Sequence, residues 1–187
     1  MFRSVSAPDS LWFEDRVTYC NAVLPHALLV TAGAVGDDDM SRCALESLEW
    51  LVTLQTSDTG HFIPIGSDGF YEQGSTRACF DQQPIEAHAT VSAALTAWRL
   101  TGQPSWRTEA RRAFDWFLGR NDLGLMMYDP QTAGCYDGLH PDGVNRNQGA
   151  ESSLAFLLAL SDMHQAEHDA SLKPPTTTVQ TVERVPV

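Results

Sequence analysis

Two short motifs place a carboxylate in the first turn of an apolar helix, three residues after a glutamine. They are Gln83-Pro84-Ile85-Glu86 and Gln148-Gly149-Ala150-Glu151, and their glutamates lie 65 residues apart. Each follows a long polar loop with a further carboxylate, Asp81 in the first case and Asp137 in the second. Glycoside hydrolysis needs this inventory: one carboxylic acid protonates the leaving oxygen, and a second carboxylate acts as base or nucleophile. Glu86 and Glu151 form the natural pair because they recur, with Asp81 and Asp137 in reserve. Epimerisation next to a carbonyl would instead need a base such as histidine, and His88 and His140 are the available groups. Plainer uses compete with both. Acidic residues favour helix N-termini on electrostatic grounds, the Asp-Gly pairs at 68, 137 and 142 form turns, and His88 lies two residues past Glu86 on a helix, so it points elsewhere.

The loops add groups suited to sugar hydroxyls and to the C–H faces of sugar rings. The first loop offers His61, Tyr71 and Arg77, and the second offers His140, Asn145, Arg146 and Asn147. Trp12, Glu14 and Asp15 stand before the first helical region, with Trp12 beside Glu14 as a stacking platform. The other four tryptophans, Trp50, Trp98, Trp106 and Trp116, fall mostly at helical core spacing. No metal is expected, since Asp137-Gly-Leu-His140-Pro-Asp142 lacks the spacing of a closed zinc site and no calcium loop ends in a bidentate glutamate. No cofactor is expected either, because neither a phosphate loop nor a dinucleotide fingerprint is present.

Positioning these groups is the task of an internal repeat. Gly36 and Gly102 lie 66 residues apart, and Trp50 and Trp116 share that offset. A fixed period of this kind names an architecture. The periodicity predicts helices over about Leu11–Ala32, kinked or divided at Pro25, then about Asp39–Gln55, Pro84–Leu100, Trp106–Leu118 and Gln148 to about Gln165. Ser57–Gln82 and Arg120–Asn147 are loops of a length that is usually functional. Helical hairpins that turn tightly at one end and carry long polar loops at the other build an all-α, α/α-hairpin toroid. Residues 1–10 read as an N-terminal extension, 11–168 as the toroid segment and 169–187 as a disordered tail.

Five stretches, WFEDRVTYCNAVLPHALL, GHFIPIGSDGFY, FDQQPIEAHA, WFLGRNDLG and GCYDGLHPDGVNRNQGAESSLAFLLAL, resemble the C-terminal segment of bacterial glycosyltransferase-associated proteins. That segment is similar to the six-hairpin glycosidase and N-acylglucosamine 2-epimerase type of (α/α)6 barrel. The resemblance implies a carbohydrate ligand and a partial (α/α)6 barrel, since about five helices are predicted where a closed ring has about twelve: a fragment, a half-barrel or one part of an assembly. It leaves open whether the chain is an enzyme. Expected partners are a glycosyltransferase domain, a second half-barrel chain or a further copy of this chain.

Composition narrows the field further. A net charge of −12 with one lysine opposes binding to nucleic acid or an anionic membrane. The longest apolar run, Leu154–Leu160, is too short to span a bilayer. The opening residues lack the apolar centre of a signal peptide. The four cysteines are spaced as isolated buried thiols, and a cytoplasmic location is expected.

Overall fold

The computed structural model describes residues 11–172. The expected N-terminal extension and residues 173–187 of the expected tail lie outside the described residues. Among the described residues there are five helices: α1 Val23–Val35, α2 Asp38–Leu54, α3 Pro84–Thr101, α4 Pro104–Asp115 and α5 Ala150–Leu172. Three antiparallel ribbons join the loops, β1 Arg16–Val17 with β2 Tyr71–Glu72, β3 Tyr128–Asp129 with β4 Gly134–Cys135, and β5 Gly138–His140 with β6 Gly143–Asn145.

The hairpin turns repeat in detail. α1 ends at Gly36 (φ 72°), whose N–H donates to the Ala32 carbonyl at 2.8 Å. α3 ends at Gly102 (φ 70°), whose N–H donates to Trp98 at the same 2.8 Å. Glycine takes this left-handed conformation without the penalty a Cβ would incur. The return helices start differently. Asp37 caps α2 by accepting from the Met40 N–H at 2.9 Å, whereas α4 opens on Pro104, which has no N–H to satisfy.

α1, α3 and α5 stand side by side, with α3 in the middle, while α2 packs on α1 and α4 on α3. α3 is apolar on almost every face because it is enclosed by neighbours. Its Ala87, Ala89, Ala93, Ala94 and Ala97 are all buried, and such small side chains let the flanking helices approach closely. α2 and α4 bury one stripe each, Ala44-Leu48-Leu51 and Trp106-Ala110-Phe114, and turn charged residues outward. Three inner helices backed by two outer ones form an arc of an α/α toroid.

Five expectations need correction. Residues 11–22 are not helical: Arg16 and Val17 pair with Glu72 and Tyr71 of the first loop. Pro25 then falls in the first turn of α1, where no intrahelical donor is lost, so it neither kinks nor divides the helix. α4 stops at Asp115, and the chain continues through tight turns in which Phe117 and Leu118 donate back three residues to Phe114 and Asp115. α5 runs on to Leu172, past the expected helix end near Gln165. Among the cysteines, Cys79 is exposed rather than buried.

Candidate functional site

The inner helices all begin at the end where the two long loops lie, so their N-termini share one mouth. The entry into α1 is clasped by two carboxylates from its neighbours. Glu86, in the first turn of α3, accepts the Cys20 N–H, the Asn21 N–H at 3.2 Å and the Asn21 side-chain amide at 3.1 Å. Glu151, in the first turn of α5, accepts the Tyr19 hydroxyl at 2.5 Å. Consecutive residues therefore hold one carboxylate each, which puts Glu86 and Glu151 at the same end of the arc.

Their environments differ sharply. Glu86 is 2% exposed, and burial pushes its carboxyl up to about 7 even though three N–H groups favour the charged form. Burial and then the charge of Glu86 push the Cys20 thiol up to about 11. Glu151 is exposed to solvent. The Tyr19 hydroxyl is raised well above its ordinary value by burial and by its bond to Glu151, so it stays a proton donor.

A second pair sits where the loops enter α3. Asp81 adopts φ 54°, the left-handed region, three residues before the helix, just as Cys20 does (φ 52°) before α1. Its carboxylate takes the Ser67 hydroxyl, the Gln83 amide at 3.3 Å and His140 Nε2 at 3.2 Å. His140 arrives on the β5–β6 ribbon, which is pinned to the start of α3 by exchanged backbone bonds between Leu139 and Gln82. Ser67, Asp68, Phe80, Asp81, His140 and Pro141 line a cleft of about 370 Å³.

Asp137 is committed to α5. It accepts the Gly149 N–H at 2.7 Å and the Asn147 amide. Burial would raise its pKa, but bonds from Ser152, Gly149 and Asn147 outweigh this and hold it below the ordinary carboxylate range. Asn145 braces the same turn, its side chain accepting from the Asn147 N–H at 3.2 Å, and Arg146 between them is exposed.

Other expected residues lie apart from these two pairs. Trp12 is not a platform: it is 2% exposed, stacks on Trp50 at 5.6 Å and donates to the Arg16 carbonyl, because residues 11–22 fold down onto α2 instead of lining a helix. Tyr71 belongs to that aromatic group, 6.3 Å from Trp50. Glu14 and Asp15 are exposed beside it. Arg77 braces the first loop through the Ile63 carbonyl. His61 bonds Asp122 at 2.8 Å, away from the clasp.

His88 faces a luminal cleft of about 490 Å³ together with Cys20, His26, Ser92, Thr96 and Asp162. Burial lowers the pKa of both histidines, and the Asp162 charge opposes that shift. Ser92 donates to Asp162 at 2.6 Å, and His26 bonds Thr96 at 3.0 Å. Sequence reasoning missed this cleft and the Tyr19–Asn21 clasp. Both left a signal: Ile85, His88, Ser92, Thr96 and Arg99 recur at helical spacing in α3, and Cys20 precedes Glu86 by one repeat of 66 residues. Among the described residues no group of three or more His, Cys, Asp or Glu side chains could hold a metal ion.

The chain is a partial α/α toroid. It is similar to an inactive variant of an α-1,6-mannanase, GH76A of Salegentibacter sp. HEL1_6, in complex with α-1,6-mannotriose. That match has a TM-score of 0.62 and 16% identity, over 83% of this chain and 43% of that one. A GH76 α-mannanase of Bacteroides thetaiotaomicron matches equally well, with a TM-score of 0.62 and 15% identity over 85% of this chain and 41% of that one. At such identities the likeness shows the fold, and the chain spans less than half the length of either neighbour. No family model and no curated protein matches the sequence. No described helix is long and apolar enough to cross a membrane.

Proposed function

We propose that this chain is a carbohydrate-handling module whose ligand enters the loop-side mouth of the arc. The observation that carries this reading is the Tyr19–Glu151 pair: a solvent-exposed carboxylate held at 2.5 Å by a hydroxyl that remains protonated. Such a pair offers sugar hydroxyls acceptors held in place, the remaining lone pairs of the Glu151 carboxylate and of the Tyr19 oxygen, since the phenol proton is already given to Glu151. Asp81 and His140 supply a second such pair at the same end of the helices. The likeness to mannanases, one of them carrying mannotriose, supports α-mannoside as the substrate class.

Four carboxylates were expected to share the chemistry, and the geometry divides them. Glu86 is enclosed and Asp137 is engaged in holding α5, so both act as positioning residues. Glu151 and Asp81 keep accessible oxygens, and a hydrolytic reaction would fall to them. One solved neighbour is described as inactive when two consecutive aspartates are replaced. Of this chain's consecutive acids, Glu14 and Asp15 are exposed beside the Trp12 aromatic group, and Asp37 caps α2. Glycan binding is therefore the activity proposed for the chain by itself.

A second reading rests on the exposed Leu154, Leu157 and Leu158 of α5. A flank of this kind suits a glycosyltransferase domain or a second half-barrel that completes the ring. The test of the first reading is Glu151→Gln, titrated with α-1,6-mannotriose by calorimetry. Binding by the parent that falls at least roughly tenfold in the variant, with melting temperature nearly unchanged, is the expected result, since a charged hydrogen bond is worth about 1.5–3 kcal/mol. Equal binding by both proteins, or loss of stability in place of binding, would remove Glu151 from the site.

A further inference from the structure

A cavity of about 610 Å³ lies outside the mouth and shares no residue with either cleft described above. It opens along α4 toward α5. In a chain of net charge −12 its lining is cationic: Arg107, Arg111, Arg112 and Arg120 against Asp115 and Glu167. Four of the chain's eleven arginines thus meet in one hollow.

Their internal partners leave donors over. Asp115 is shared, at 3.1 Å from Arg111 and 3.3 Å from Arg120, and both guanidinium groups are more than half exposed. Glu167 reaches Arg111 only at 3.8 Å. Arg112 is fully engaged by Glu109 and by the carbonyls of Gln55 and Val52, and serves as fixed charge. Arg107 lies 5.0 Å over the Trp98 ring, and no carboxylate among the described residues pairs with it. Stacking fixes the plane of that guanidinium and leaves its N–H edge open. The floor is apolar, formed by Leu95, Met163 and Ala166.

We propose that this cavity binds a phosphate monoester of a small polar molecule, with a hexose phosphate as the class that fits. With Arg112 neutralised by Glu109, the hollow keeps one net positive charge, carried by the open edge of Arg107 and the half-shared Arg111 and Arg120, which suits an anion with several acceptor oxygens. Free guanidinium edges offer it paired donors, and the apolar floor suits the C–H face of a pyranose. A carboxylate has two oxygens for these donors where a phosphate has three, and a neutral sugar would leave the charge unmatched. The site stands on residues of α4 and its neighbours, so it does not depend on sugar binding at the mouth.

Calorimetric titration of the whole chain with mannose 6-phosphate, inorganic phosphate and mannose tests the proposal. The expected result is saturable binding of the ester that weakens with rising salt, weaker binding of inorganic phosphate and no mannose binding that depends on Arg107 or Arg111. The double variant Arg107→Met, Arg111→Met should lose at least about tenfold in affinity for the ester, while Glu151→Gln should keep it. Near-ultraviolet circular dichroism of the double variant checks that packing over Trp98 survives, and Arg120→Gln provides a milder second variant on an exposed side chain. Absence of saturable ester binding, or full affinity in both arginine variants, overturns the site. Inorganic phosphate binding as tightly as the ester overturns the assignment to a sugar phosphate.

Discussion

Glu86 shows how one side chain can satisfy a sequence rule for a different reason. An acidic residue in the first turn of a helix is ordinarily placed there by that helix's own free N–H groups. Glu86 instead reaches across to the turn that opens α1, taking two backbone N–H groups and the Asn21 amide. Enclosure raises its carboxyl from 4.5 to about 7, which ties stability to pH. A carboxyl raised on folding holds extra protons in the folded state, so its contribution is fully present below the unfolded value and is lost as pH rises through the folded value. Urea unfolding between pH 4.5 and 7 should therefore show the parent losing up to about 3 kcal/mol relative to Glu86→Gln, on the conversion of 1.36 kcal/mol per unit. The difference between the two proteins isolates this group from His26 and His88, whose lowered values act in the opposite sense. Parallel curves for parent and variant would mean that the carboxyl is not enclosed.

At the scale of elements, the helices were legible where an apolar stripe had no competitor. α2, α3 and α4 begin within two residues of their expected starts, because Asp37, Pro84 and Pro104 mark helix entries by plain local chemistry. The glycines at 36 and 102 were legible for the same reason. What escaped was anything decided by a distant partner. Residues 11–22 carry enough apolar residues for a helix, yet Arg16 and Val17 are drawn into a ribbon with a segment more than fifty residues away. The mouth was legible as a set of loops and helix starts, while the pairing of Tyr19 with Glu151 and of Asp81 with His140 depends on three-dimensional closure. The first loop closes by a backbone contact with no sequence periodicity at all. At Gly66 an added Cβ would run into the Phe80 carbonyl, and the Gly66 N–H donates to Ala78 at 2.9 Å. Gly66→Ala should cost about 1–3 kcal/mol by forcing that approach apart. Because Ser67 and Phe80 flank the Asp81–His140 cleft, the variant should also loosen it, seen as faster proteolysis within residues 57–82. An unchanged melting temperature would show that the approach is not tight.

At the scale of the whole molecule, the arc has two open ends. α3 is covered on both sides, but α1 leaves Val23, Leu24, Val30 and Val35 exposed and α5 leaves Leu154, Leu157 and Leu158 exposed. These are the two helices at the ends of the inner row, so the exposed residues occupy the positions where a closed ring would have further inner helices. Isolated apolar side chains on a surface need no explanation, whereas several exposed on each of the two terminal helices suit contact surfaces. The two rows lie on different helices, and a contact of one row with the other is heterologous, so it propagates unless rotation closes it. The chain alone should accordingly associate, with light scattering giving a mass above the 20.6 kDa of one copy and rising with concentration. Charging one row is the decisive variant. Leu154→Glu with Leu157→Glu alters positions that already meet solvent, so folding should be preserved while association at that flank is lost. A parent protein that stays monomeric at all concentrations would show that the exposed rows are tolerated as free surface, and the reading of this arc as one part of a larger ring would fall with them.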